Sequence, residues 1–232
     1  MLGEALKGRN KHSEHKQELK AGIWGHVAVL ILLQKSELWL MIQFTPSSNG
    51  KPETGKIILS EPFMADPHFG RKAILICEHN EEGSFGFVLN NFIEVGLNEL
   101  LDDLPKVQCR LSLGGPVKNS NLYYLHTLDD APEAIVVKPG LFMGGDFDWV
   151  RSLLEAGQQL EGKLRFFIGY AGWTPGQLEE EIKSHSWFVT SADIETIMST
   201  DTEDEEFWKA LISEMGAGFE HIANAPADPS MN

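Results

Sequence analysis

The stretch "RKAILICEHNEEGSFGFVLN", Arg71–Asn90, holds the pattern from which the fold class follows. Its first half is apolar on both faces of an extended chain, with Ala73, Leu75 and Cys77 on one side and Ile74 and Ile76 on the other. A strand apolar on both faces is covered on both, so it belongs at the centre of a sheet. "NEEG" (Asn80–Gly83) then turns the chain, Gly83 being free to take positive φ, and Phe85, Phe87 and Leu89 return at a period of two. With Asn80–Gly83 as the loop, the register sets Cys77 across from Gly86 and His79 across from Ser84. A glycine inside a strand marks a close approach, here by the cysteine side chain.

Outward from this hairpin, strands and helices interleave. "KIILS" (Lys56–Ser60) reads as a short strand, and "MADPHFG" (Met64–Gly70) as a turn fixed by Pro62 and Pro67. "GLNELLDDL" (Gly96–Leu104) has leucines at helical spacing. "RLSLGGPV", "NLYYLHTL" and "EAIVVKPGLFMGG" supply further strands. "DFDWVRSLLEAG" is a helix with Asp146 as N-cap and Gly157 as its stop. "KLRFFIGYAGW" (Lys163–Trp173) is a strand, and "TPGQLEEEIKSHSW" starts a helix with Thr174 as N-cap, Pro175 in first position and Gln177 closing a capping box. A last helix covers about Asp204–His221. Without a strict βαβ cycle the class is α+β: a single domain with a mixed, mainly antiparallel twisted sheet and flanking helices.

The chain ends are set apart from that core. Residues 1–40 carry six Lys/Arg and four Asp/Glu, whereas the remainder holds thirteen basic and thirty acidic residues. "AGIWGHVAVLILL" (Ala21–Leu33) is shorter than the roughly 20 apolar residues that span a bilayer. His26 interrupts it, and no small-residue cleavage site follows. Residues 1–40 are therefore expected to be a non-core extension, one reading of which sets the true start at Met41. Residues 41–222 form the domain, and 223–232 a disordered tail.

Composition narrows the function classes. A formal net charge of −15 repels phosphate backbones, so direct nucleic-acid binding is not expected. Two cysteines, Cys77 and Cys109, without a CxxC, provide neither a zinc ribbon nor a disulfide framework and fit a reducing, cytoplasmic setting.

The segments "ILSEPFMADPHFGRKAILICEHNEEGSFGFVLNN", "LSLGGPV", "YYLHT" and "GYAGWTPGQLEEEI", in this order, resemble the YqgE/AlgH family of bacterial proteins. The resemblance covers roughly Lys56 to Trp187 and implies one α+β domain and no known reaction. The forty-residue extension has no counterpart in the family pattern. The family's occasional label as transcriptional regulators sits poorly with an acidic core.

Several polar residues could carry chemistry. Cys77 and His79 are expected on one strand face about 6–7 Å apart, with Glu78 on the other. The apolar run around Cys77 raises its thiol pKa, which favours a structural cysteine over a redox-sensitive thiol or a nucleophile using His79 or His126. A metal set drawn from Cys77, His79, His126, His68 and Asp66 lacks the short spacing of zinc sites, so neither metal nor cofactor is expected. Asp66 and Arg71 could clamp the first turn. "GYAGWTPGQ" opens a helix, but the following glutamates repel a phosphate there. The expectation is thus a shared cleft of Asp66, Arg71, Glu78, His79, Asn80, His126, Trp173 and Gln177, in a non-catalytic or indirectly regulatory domain. Its partner would be a protein or a small molecule, with no membrane involved.

Overall fold

The computed structural model describes residues 50–101, 104 and 110–226, all within the unit Ser47–Asn232. In chain order these form β1 (Ile57–Ser60), β2 (Ala73–Asn80), β3 (Gly83–Val88), β4 (Phe92–Gly96), α1 (Leu97–Leu100) and β5 (Arg110–Leu113). There follow β6 (Val117–His126), β7 (Ile135–Lys138), β8 (Leu141–Met143), α2 (Phe147–Glu155), β9 (Leu164–Trp173), α3 (Gln177–Lys183) and β10 (Trp187–Thr190). Helices α4 (Ile194–Met198), α5 (Asp204–Glu214) and α6 (Glu220–Ala223) close the fold, with a 3₁₀ turn at Ala217–Phe219 before the last.

Among the described residues the strands make one α+β sheet of ten, ordered β10-β1-β2-β3-β9-β6-β8-β7, with β5 beside β9 and β4 beside β5. Every pairing is antiparallel except β5 with β9. β9 organises the sheet: its first half lies between β5 and β6, and its last three residues pair with β3. The two faces of β2 separate as their alternation requires. Ala73, Leu75 and Cys77 join one core with α4, α5 and α6, while Ile74 and Ile76 join a second core with Trp173, Leu178 and Trp187. A third core, under α1 and α2, includes Leu111, Tyr124 and Phe166. The sheet is open but curled: Lys138 on β7 donates to the Ala192 carbonyl just past β10.

The Asp146 cap is present, its carboxylate accepting from Asp148 N and Trp149 N. Other boundaries differ from the sequence reading. Helix α3 begins at Gln177, after Gly176 in the left-handed region, and not at Pro175. Gln177 Oε1 does accept the Thr174 N–H at 3.0 Å, but the Thr174 hydroxyl also donates to Gln177 and caps no backbone group. The helix stops at Lys183, which frees Trp187–Thr190 to become edge strand β10. The last helix is broken at Gly216, with φ 113°. Of the segment expected as a tail, Ala225 accepts from Arg71 at its carbonyl; residues 227–232 and the 1–40 extension lie outside the described residues.

Candidate functional site

The β2–β3 hairpin builds one end of the sheet. Asn80 holds its turn, accepting the Glu82 N–H at 2.8 Å and donating to Glu78 Oε1 at 2.7 Å. Gly83 takes φ 132°, and a Cβ there would lie 2.3 Å from the Trp173 carbonyl, so the turn is pressed against the end of β9.

The pairing contains a bulge that the sequence register missed. Ile76 pairs with Gly86 and Glu78 with Phe85, leaving Cys77 as the extra residue, while His79 does face Ser84. The glycine is required by backbone and not by the thiol: a Cβ on Gly86 would lie 2.3 Å from the Leu75 carbonyl. One inserted residue also turns the following side chains over. Cys77 is sealed in the first core at 1% exposure, its thiol pKa pushed up by burial. His79 emerges on the opposite face, so Cys77 and His79 do not share one.

His79 Nδ1 lies 2.8 Å from Ser84 Oγ, and its Nε2 lies 3.6 Å from Glu179 on α3. The hydroxyl–imidazole–carboxylate chain ties the hairpin to the helix. Trp173 follows on the same face: its indole N–H donates to Glu181 Oε2 at 2.9 Å, and the Trp187 indole donates to the same oxygen at 2.7 Å. Gln177 completes this group by donating to Glu181 Oε1 at 2.8 Å, and Phe69 packs on both indoles.

A cleft of about 230 Å³ opens at this end of the sheet, between the hairpin and the end of β9. Glu78, Asn80 and Glu82 form its polar rim, Phe85 and Tyr170 its aromatic wall, and Trp173 its end. The Phe85 and Tyr170 ring centroids are 4.6 Å apart, tilted by 40°, and Tyr123 lies 6.0 Å from Phe85.

Of the residues expected to share one cleft, Glu78, Asn80 and Trp173 line it; His79 and Gln177 belong to the layer bonded to its walls. Asp66, Arg71 and His126 do not join them. Asp66 accepts the His68 N–H at 2.8 Å and organises its own turn. Arg71 precedes β2, at the far end from His79; Ala73 and His79 alone are separated by about 20 Å of strand. Its partner is not Asp66 but Glu205, at 2.7 Å, with the guanidinium over the Trp208 ring. His126 pairs with Leu164 at the start of β9, about 30 Å of strand from Trp173. It is fully buried, donating from Nε2 to the Gly144 carbonyl at 3.0 Å and accepting the Leu128 N–H at Nδ1. Burial lowers its pKa, and protonating Nδ1 would aim a second hydrogen at that N–H.

Among the described residues no three His, Cys, Asp or Glu side chains are grouped to hold a metal, and no helix is long and apolar enough to cross a membrane. Tyr170 and Ser84 are the residues that sequence reasoning passed over. The expected facing of His79 and Ser84 was a signal for the second.

A family model described as AlgH-like matches residues 57–220. A protein of Chlorobaculum tepidum is 40% identical over 179 residues, covering 77% of this chain and 95% of that relative. One of Bacteroides thetaiotaomicron is 36% identical over 187 residues, covering 80% and 94%. The solution structure of the AlgH protein from Pseudomonas aeruginosa superposes with a TM-score of 0.60 at 28% identity, over 77% of this chain and 97% of that one. A crystal structure of a Corynebacterium diphtheriae protein shares the fold, with a TM-score of 0.64 at 24% identity, over 78% and 96%.

Proposed function

The chain belongs to the AlgH-like family, and we propose that it is a non-catalytic binding domain of the cytoplasm whose ligand occupies the cleft between the β2–β3 hairpin and the end of β9. The observation that carries this reading is the convergence of separate motifs. "CEHNEEGSF" contributes the rim and one wall, "GYAGW" the other wall, and "TPGQLEEE" the layer that fixes both through Glu181 and Glu179. A ligand site needs a few polar groups held rigidly beside apolar surface, and such an arrangement is present here. Any regulatory effect would then be indirect, through the ligand or a protein that carries it. Direct contact with nucleic acid is disfavoured by the formal net charge of −15.

Against the alternative of a thiol-dependent enzyme stand the burial of Cys77, the raised pKa of its thiol and the engagement of both histidines elsewhere. A nucleophilic cysteine needs a base in reach and an open setting.

The test is a small-fragment screen followed by amide chemical-shift mapping on the full chain. Perturbations concentrated at Ser84, Phe85, Tyr170 and Gly172 are the expected result. Binders whose perturbations cluster elsewhere, with this set unmoved, would overturn the assignment of the cleft.

A further inference from the structure

We propose that the cleft receives a guanidinium group, presented by an arginine side chain or by a small guanidino compound. This inference rests on the cleft being the binding site and assigns the chemistry of what enters it. The polar rim is one-signed: Glu78 and Glu82 contribute carboxylates, and among the described residues neither Lys nor Arg lines the cleft. Glu78 receives the Asn80 amide, a neutral donor, and among the described residues no cation pairs with either glutamate. An anionic ligand would meet uncompensated like charge there.

The aromatic wall is an independent observation. Phe85, Tyr123 and Tyr170 pack against the first core yet stay only partly covered, and Phe85 and Tyr170 line the cleft. Ring faces attract cations, and a planar guanidinium can lie on a ring while its N–H fork reaches a carboxylate. An ammonium is more strongly hydrated and lacks that fork. The volume of about 230 Å³ is below that of sites for drug-sized ligands, which suits a head group better than a whole molecule.

The experiment titrates the full chain, followed by amide shifts, with agmatine, with the peptide acetyl-Gly-Arg-Gly-amide, and with the same peptide carrying citrulline, the neutral isostere. Both guanidino probes should move Phe85, Tyr170 and Gly172, and the citrulline peptide should bind about fivefold more weakly, the upper range for a solvent-exposed charge pair. Glu82→Gln should weaken the guanidino probes about three- to fivefold without changing the melting temperature, and added salt should weaken them further. Agmatine binding as well as the peptide marks the small-molecule source; peptide binding at least about tenfold tighter marks the polypeptide source.

Equal binding of the arginine and citrulline peptides, or no shift at these residues with either guanidino probe, would overturn the charge assignment. In that case, a neutral fragment that still moves Phe85 and Tyr170 keeps the cleft as the site. Shifts confined to other regions, for the probes and for fragments alike, would remove the cleft itself.

Discussion

Glu181 is the side chain on which the wall behind the cleft depends, and its replacement has a calculable effect. One oxygen accepts two indole N–H groups, from Trp173 and Trp187, which are only 7% and 2% exposed. A hydrogen bond to an ionised acceptor contributes about 1.5–3 kcal/mol, and an orphaned buried donor costs a similar amount. Glu181→Gln can keep its carbonyl oxygen on both indoles only by turning its amide against the Gln177 amide, and the acceptor loses its charge, so it should lose about 1.5–3 kcal/mol. Glu181→Ala strands both indoles and should lose about 3–5 kcal/mol, the lower end applying where water reaches the half-buried position. Equilibrium urea unfolding measures both, with Glu180→Gln as the control, since Glu180 is exposed and among the described residues its ion pair is with Lys183 alone. The control should leave the midpoint unchanged. A double-mutant cycle of Glu181→Gln with Trp187→Phe should return about 1–2 kcal/mol of coupling. If Glu181→Gln matched the Glu180 control, or the coupling were near zero, the carboxylate would not be holding the indoles.

Three further outcomes are expected. In a Cys109→Ser background, Cys77 should resist alkylation in the native protein and react at once in denaturant, because the thiol is buried and its pKa raised; rapid native labelling would refute its burial. Gly86→Ala should destabilise the fold by about 3 kcal/mol in urea unfolding, since its Cβ would collide with the Leu75 carbonyl; a neutral effect would refute the β2–β3 register. His126 has a folded pKa below its unfolded value of about 6.5, so it contributes stability above that pH that is lost as pH falls through the folded pKa. The melting temperature should therefore decline from pH 7 towards 5 more steeply in the parent than in His126→Gln; equal slopes would remove His126 as a source.

What the sequence made legible was whatever alternation encodes. The two faces of Ala73–Cys77 sorted into two cores because each residue in that run obeys a period of two. The Asp146 cap was visible because a carboxylate before an amphipathic run has one dominant use. Insertions of one residue leave no compositional mark, and they decided the site. The bulge at Cys77 put His79 on the face opposite the thiol. A second irregularity, at Gly169 with φ 69°, lets Tyr170 pack on the same core as Phe167, although strict alternation would oppose them. Tyr170 therefore reached the cleft unannounced. Strand β10 was hidden for another reason: the helix before it ends at Ser184 and His185, the latter at φ 62°, without the glycine that usually signals a stop.

The placement of charge bears on what the cleft can do. At the start of β2, Lys72 lies 3.6 Å from Asp204, Arg71 pairs with Glu205, and the buried Asn90 bonds Ala73 N and the carbonyls of Arg71 and Asp204. Nearby, Arg110 donates to the Thr200 carbonyl over the Phe92 ring, and the fully buried Arg165 donates to the Leu89 and Ile197 carbonyls. Burial and the neighbouring Arg110 bring the Arg165 pKa down to about 9, so it remains charged at neutral pH. These four cations hold strands and helix α5 together around the start of β2. The hairpin turn, with Glu78, Glu81 and Glu82, stands at the opposite end of that strand. Six residues of strand, about 20 Å, exceed the screening length of about 8 Å at physiological salt, so the basic end cannot neutralise the acidic one. Glu78 and Glu82 are the charged groups of the rim, and among the described residues no positive side chain lines the cleft that a cation would enter.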